Sequence, residues 1–203
     1  MHSAYQKWIL NSYDMILTEY VHLDKLDQQV GDGDHGSTIL KGMKVAKELF
    51  LSNLDYPIEE SMAIISKQMR IEMGGASGIL MSIFFAESGK IDETSLNLSI
   101  INIFEKTIDK IMKRGKVEAG DKSILDIYIP ISNFLKQNTN FQSKKEEINK
   151  ILSQSLEKTK DMEAKVGRAK FLENKGVGFV DPGTRCCRWN CRRSSSSCPD
   201  SSP

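Results

Sequence analysis

Apolar residues recur at intervals of three and four along most of this chain, and that spacing limits the fold more than any other feature. In "YQKWILNSYDMILTEYVHLDKLD", Trp8, Ile9, Tyr13, Ile16, Leu17 and Tyr20 fall on one face of a helix. "STILKGMKVAKELFLSNL" repeats the period. "PIEESMAIISKQMRIEM" opens with Pro57 in a first-turn position, followed by Glu59 and Glu60, which suit the positive end of a helix. "SGILMSIFFAESGK" is apolar nearly all round and belongs at the centre. "TSLNLSIINIFEKTIDKIMKRGK" stops at Gly115 with basic residues in its last turn. "KSILDIYIPISNFLKQ" and "SKKEEINKILSQSLEKTKDMEAKV" complete the series. Pro130 is expected to kink the former, whose β-branched "ILDIYIPI" is the weakest helical stretch. No segment alternates as a half-buried strand does, the loops are short, and nothing repeats. The pattern predicts an all-α, antiparallel up-and-down bundle with its loops at the two ends and its functional residues at one of them.

Bulk properties narrow the function classes. At 203 residues the chain reads as one domain able to bury a sound core. A net charge of +1 gives no global attraction to nucleic acid or anionic membrane, so neither is an expected partner. No apolar run approaches the roughly 18 residues of a membrane span, and the N-terminus does not read as a secretory signal. The expected compartment is the cytoplasm. All four cysteines (Cys186, Cys187, Cys191, Cys198) lie beyond Thr184, and a body without cysteine suits a reducing environment.

The loops carry the chemistry. "LDQQVGDGDHGST" holds Asp27, Asp32 and Asp34, with glycine at 31, 33 and 36. Three carboxylates this close cannot all stay ionised without a cation, and hard oxygen ligands favour Mg²⁺ or Ca²⁺. The glycines remove side chains where backbone passes close to a ligand. The spacing is not that of an EF-hand. A plain turn with Ser37 as N-cap is the competing reading. "MGGASGILMSIFF" joins a glycine turn to an apolar helix, whose free N–H groups favour phosphate; it also reads as a turn capped by Ser77. "KRGKVEAGDKSI" and "VGRAKFLENKGVGFVDPGT" are the remaining loops. In the latter Arg168 is either a surface residue or a phosphate clamp.

Taken together, "LDQQVGDGDHGST", "GGASG", "RGKVEAGDKS" and "GRAKFLENKGVGFVDPGT" stand in the order and spacing of one family. From about residue 20 to 184 the chain resembles the nucleotide-binding L subunit of dihydroxyacetone kinases. The resemblance implies a barrel of eight antiparallel amphipathic helices. It implies that Asp27, Asp32 and Asp34 hold two Mg²⁺ ions bridging the phosphates of ADP or ATP. His35, Gly36, Ser37 and Thr38 match the stretch that continues onto those phosphates, and Ala76 and Ser77 match further phosphate contacts. Gly115 and Ile124 match positions beside the adenine. Arg168 matches a nucleotide-contacting arginine, and Asp181, Pro182 and Gly183 match the closing turn of the site.

The implied activity is phosphoryl transfer to dihydroxyacetone, which a separate K subunit holds through its own histidine. No residue here reads as the base for a sugar hydroxyl, so this chain would be half an enzyme. In one branch of the family ADP stays bound and is recharged by the phosphocarrier M subunit of the phosphotransferase system. In the other, ATP exchanges as a substrate. A separate short chain suits the first branch, although Thr38 departs from the asparagine common there. The alternatives are an L domain of an ATP-dependent ketose kinase and a non-catalytic nucleotide-binding regulator. A homodimer is also open.

Beyond Thr184 the resemblance stops. The family continues into an apolar helix, but "RCCRWNCRRSSSSCPDSSP" carries four arginines, four cysteines and six serines with no helical period. Its cysteine spacing fits no zinc template. The expected organisation is therefore a helical barrel over 1–184 and an atypical, disordered tail over 185–203, which a reading-frame change after Thr184 would explain.

Overall fold

The computed structural model describes residues 1–138 and 140–187. The expectation for the tail falls mostly on 188–203, outside the described residues. Eight α-helices and four short 3₁₀ turns make up the described residues, without a strand. The helices are α1 His2–Asp27, α2 His35–Ser52, α3 Ile58–Met73, α4 Gly75–Ser88, α5 Leu96–Gly115, α6 Leu125–Gln137, α7 Lys145–Lys158 and α8 Pro182–Cys187. Each helix from α1 to α7 packs on its neighbours in sequence, and α8 lies against both α1 and α6, which closes the ring. Short connections between packed neighbours make them antiparallel.

This alternation brings five elements to one end. The C-terminus of α1 and N-terminus of α2, the α3–α4 turn, the α5–α6 loop, and the segment between α7 and α8 all lie there. The core has two apolar clusters. One joins Ile9, Leu23, Met43, Phe50, Met62 and Met69 across α1, α2 and α3. The other joins Ile111, Leu125, Ile127, Leu135 and Leu152 across α5, α6 and α7. Helix α4 serves both, with Phe85 in the first and Ile83 in the second, as its nearly uniform apolar sequence predicts. Aromatic rings run across the junction. Trp8 stacks on Phe85 at 5.2 Å, and Phe84 meets both Phe104 and Tyr128.

Several boundaries depart from the sequence reading. Helix α2 begins at His35 with Asp34 in the N-cap position, so Ser37 is not the cap. Helix α4 begins at Gly75 after Gly74, so Ser77 is not a cap either. Pro57 precedes the first helical residue of α3. The β-branched "ILDIYIPI" lies within α6 from Leu125 on, with Ile124 in the N-cap position, and the helix is continuous through Pro130. There the burial of Leu125, Ile127, Tyr128 and Ile131 outweighs weak helical propensity.

Candidate functional site

The site is built around Asp27, the last residue of α1. Its Oδ2 accepts the N–H of Gly33 at 2.9 Å and of Asp34 at 3.2 Å, so the following loop wraps over this carboxylate. Two glycines permit the wrap. A Cβ at Gly31 would sit 2.5 Å from Asp27 Oδ1, and Gly33 has φ +78°. Beside the close approach of ligand expected from the sequence, the structure gives these glycines an internal role: Gly31 makes room for the Asp27 carboxylate and Gly33 for the Gln28 side chain. Gly36 has a packing role too, because a Cβ there would lie 2.0 Å from the Tyr20 carbonyl of α1.

The wrap gathers Asp27, Asp32 and Asp34, each offering a carboxylate oxygen within 4.8 Å of the others. Their mutual effect is visible at Asp34. Burial raises its pKa above the ordinary aspartate value, Asp32 and Asp27 raise it further, and Arg168 opposes them. The Arg168 guanidinium forms an ion pair with Asp32 through Nη1 and Oδ2. The exposed Arg168 is thus drawn into the acidic cluster rather than left on an unrelated surface.

Two helix N-termini face this cluster. His35 opens α2, and its Nδ1 lies 3.4 Å from Ser77 Oγ in the first turn of α4. Neither first turn carries an acidic residue that would compete for an anion. His35 Nε2 is buried without a hydrogen-bond partner among the described residues, a polar atom that a ligand at this point could satisfy. Gly74 and Gly75 have φ +62° and +53°, and Ala76 beside them is exposed. Ser37 donates its N–H to Asp24 Oδ1 at 2.9 Å and its hydroxyl to Asp24 Oδ2 at 2.6 Å. Thr38 donates its N–H to the Asp34 carbonyl at 2.8 Å.

Gly115 ends α5, and a Cβ on it would meet Val117 Cγ2 at 2.7 Å. The left-handed residue at this C-terminus is Lys116, at φ 49°. Ile124 is buried and precedes α6. Asp181 caps α8: its Oδ2 accepts the Thr184 N–H at 2.6 Å, with Pro182 in the first helical position. Burial raises the Asp181 pKa, against the Thr184 donors and nearby His35. Gly183 follows in the same turn, where a Cβ would stand 3.2 Å from Asp181 Oδ2. Thr184 Oγ1 then donates to the Ser123 carbonyl at 3.1 Å, joining the last loop to the third.

Sequence reasoning missed the supports. Asp24, one turn before Asp27, holds Ser37 from the neighbouring helix. Asp126 accepts the Gly120 and Ser123 N–H groups and shapes the α5–α6 loop. Lys122 is buried beneath the Arg168 segment. The spacing of Asp24 to Asp27 was a legible signal for the first; the other two emerge only when separate loops meet.

Three converging carboxylates, an unpartnered buried imidazole nitrogen and two helix N-termini suit a hard divalent cation that bridges to phosphate. Residues 29–190 match the family described as "DAK2 domain". The ADP-binding subunit DhaL of the PEP-dependent dihydroxyacetone kinase 1 of Listeria innocua is 29% identical over 179 residues, 87% of each chain. The corresponding Escherichia coli subunit is 28% identical over 183 residues, again 87% of each. The dihydroxyacetone kinase of Citrobacter freundii is 30% identical over 81% of this chain, which spans only 30% of that protein. The crystal structure of the Citrobacter freundii kinase superposes with a TM-score of 0.72 over 94% of this chain and 33% of the other, at 24% identity. At that identity the superposition establishes the helical fold. The chain belongs to the DAK2 domain family.

Proposed function

We propose that this chain is the nucleotide-binding subunit of a dihydroxyacetone kinase. It holds ADP or ATP through Mg²⁺ and passes a phosphoryl group to dihydroxyacetone carried by a separate K subunit. The observation that carries the reading is the convergence of Asp27, Asp32 and Asp34 within 4.8 Å beside the N-termini of α2 and α4. Those aspartates would hold the metal, in two ions by family resemblance. Held by those carboxylates, Mg²⁺ would supply charge neutralisation and alignment of the phosphates for in-line transfer.

The chain's own groups bind and orient. The first turns of α2 and α4 present N–H groups, Ser77 and His35 to the phosphates. Gly115 and Ile124 flank the base, and Arg168 reaches over the metal site. Phe171 on the same segment is 81% exposed and gives a K subunit an apolar rim to meet. The similarity to the ADP-binding subunits of the PEP-dependent kinases supports the form in which ADP remains bound and a phosphotransferase-system phosphocarrier recharges it. No helix among the described residues is long and apolar enough to cross a membrane, in keeping with a cytoplasmic role.

Calorimetric titration of ADP and ATP, each with Mg²⁺ and with EDTA, tests the reading. Tight ADP binding that EDTA abolishes is expected, with ATP no tighter. Comparable or tighter ATP binding with fast exchange would move the chain to the ATP-using form. A well-folded sample that binds neither nucleotide would overturn the assignment. Mixing with a cognate K subunit, dihydroxyacetone and a phosphoryl donor, either ATP or a phosphorylated phosphocarrier that recharges bound ADP, then separates an enzyme subunit, which yields dihydroxyacetone phosphate, from a regulator, which does not.

A further inference from the structure

Arg168 stands on a long segment without regular helix, residues 162–181, yet it is delivered to the aspartates. The anchor beneath that segment is Lys122. This lysine is 3% exposed and sits at φ 60°, in the left-handed region that few L residues adopt. Among the described residues its Nζ has no carboxylate within 4.0 Å. It donates instead to the carbonyls of Met162, at 3.2 Å, and Gly176. Those carbonyls lie on either side of Arg168.

Burying an ammonium group with no carboxylate in ion-pair range is unfavourable, and so is the left-handed backbone beneath it; Asp181 acts on it only from farther away and does not outweigh the burial. A core that needed only volume there would be served by an apolar side chain. What the ammonium adds is a bridge between the two limbs of the segment. A neighbouring bond closes the same limbs, Ala164 N–H to the Lys175 carbonyl at 2.9 Å, and Lys165 Nζ to Asp121 Oδ1 at 3.0 Å ties the first limb to the α5–α6 loop.

We propose that Lys122 is a positioning residue for Arg168, clamping both limbs of the segment so that the guanidinium stands over Asp32 and, on the nucleotide-binding reading above, over the phosphates.

The test is a double-mutant cycle on Mg²⁺-ADP affinity, using wild type, Lys122→Met, Arg168→Gln and the double variant. Lys122→Met is expected to weaken binding by about tenfold, the scale of lost supporting contacts. The double variant should then bind no worse than Arg168→Gln alone, because Lys122 acts through Arg168. Independent losses that multiply, or unchanged affinity in Lys122→Met, would overturn the role.

Tryptic cleavage at Lys165, Arg168 and Lys170 adds a readout that needs no nucleotide and should accelerate in Lys122→Met. Uniform resistance in that variant also counts against the clamp. If Lys122→Met does not fold, Gly176→Ala disturbs the same anchor. Gly176 has φ +72°, and its Cβ would lie 3.4 Å from Val30 Cγ1 and 3.5 Å from Lys122 Nζ. The same coupling to Arg168 is required of it. Wild type that binds no nucleotide sinks the functional reading; wild type that binds, with additive losses in the variants, sinks only the role of Lys122.

Discussion

At Asp34, folding gathers negative charge faster than the chain alone relieves it. Burial and the neighbouring Asp32 and Asp27 raise its pKa, and Arg168 offsets only part. The folded state then binds protons more tightly than the unfolded one, so stability from this group is present at low pH and lost as pH rises through the raised carboxyl range. In EDTA at pH 7, Asp34→Asn is therefore expected to melt higher than wild type, with the advantage gone near pH 3. The same substitution should abolish the stabilisation that Mg²⁺ gives wild type. Thermal melts at both pH values, with and without Mg²⁺, check both signs. Arg168 adds a second contrast, because its pair with Asp32 competes with any cation for Oδ2. Arg168→Gln should bind Mg²⁺ alone more tightly and Mg²⁺-ADP more weakly. Calorimetry reads both, and a shift in the same direction for the two titrants would show that the pair does not compete.

Between helices, the informative contact is Glu87 on α4, whose side chain is 4% exposed. Its carboxylate accepts from Lys90, at 3.1 Å, and from Lys110 of α5. Burial pushes the Glu87 pKa up, but the two ammonium donors outweigh it and leave it below the ordinary glutamate value. A depressed carboxylate stabilises above its unfolded pKa and loses that contribution as pH falls through the folded one. Glu87→Gln is expected to cost about 1 kcal/mol at neutral pH, since both lysines are half exposed and screened. That cost should shrink as pH falls below the ordinary glutamate range, which urea titrations across pH would show. Helix identity was legible from apolar spacing in α2, α3 and α5 and from nearly uniform apolarity in α4; in α1 the helix was legible but its face was not, since Tyr5, Ile9, Ser12, Met15, Ile16 and Leu23 are buried while Leu17, expected on that face, is 46% exposed. The starts of α2 and α4 were not. Ser37 and Ser77 have cap chemistry, but Asp24 from α1 satisfies Ser37, and His35 lies beside Ser77. Capping by a neighbouring helix leaves no local signal.

Across the whole molecule, the site draws on residues from Asp24 to Thr184, so its parts meet only when the ring of helices closes. The aspartates were legible because they share one short loop. Arg168 was ambiguous in sequence because its role depends on Lys122, Asp121 and Lys175, which hold its segment through non-local bonds. A ligand that joins the α1–α2 loop, the α3–α4 turn, the α5–α6 loop and the Arg168 segment binds the folded ring and not the open chain. At a free concentration of a hundred times Kd such a ligand stabilises by about 2.7 kcal/mol. For a chain of this size that is a rise of about 5–10 °C in Tm. Mg²⁺-ADP is expected to give that rise, EDTA to reverse it, and Asp32→Ala to remove it while leaving the nucleotide-free melt cooperative. If the aspartate loop were only a turn between helices, the melt would be indifferent to Mg²⁺-ADP, and Asp32→Ala would change nothing that the ligand controls.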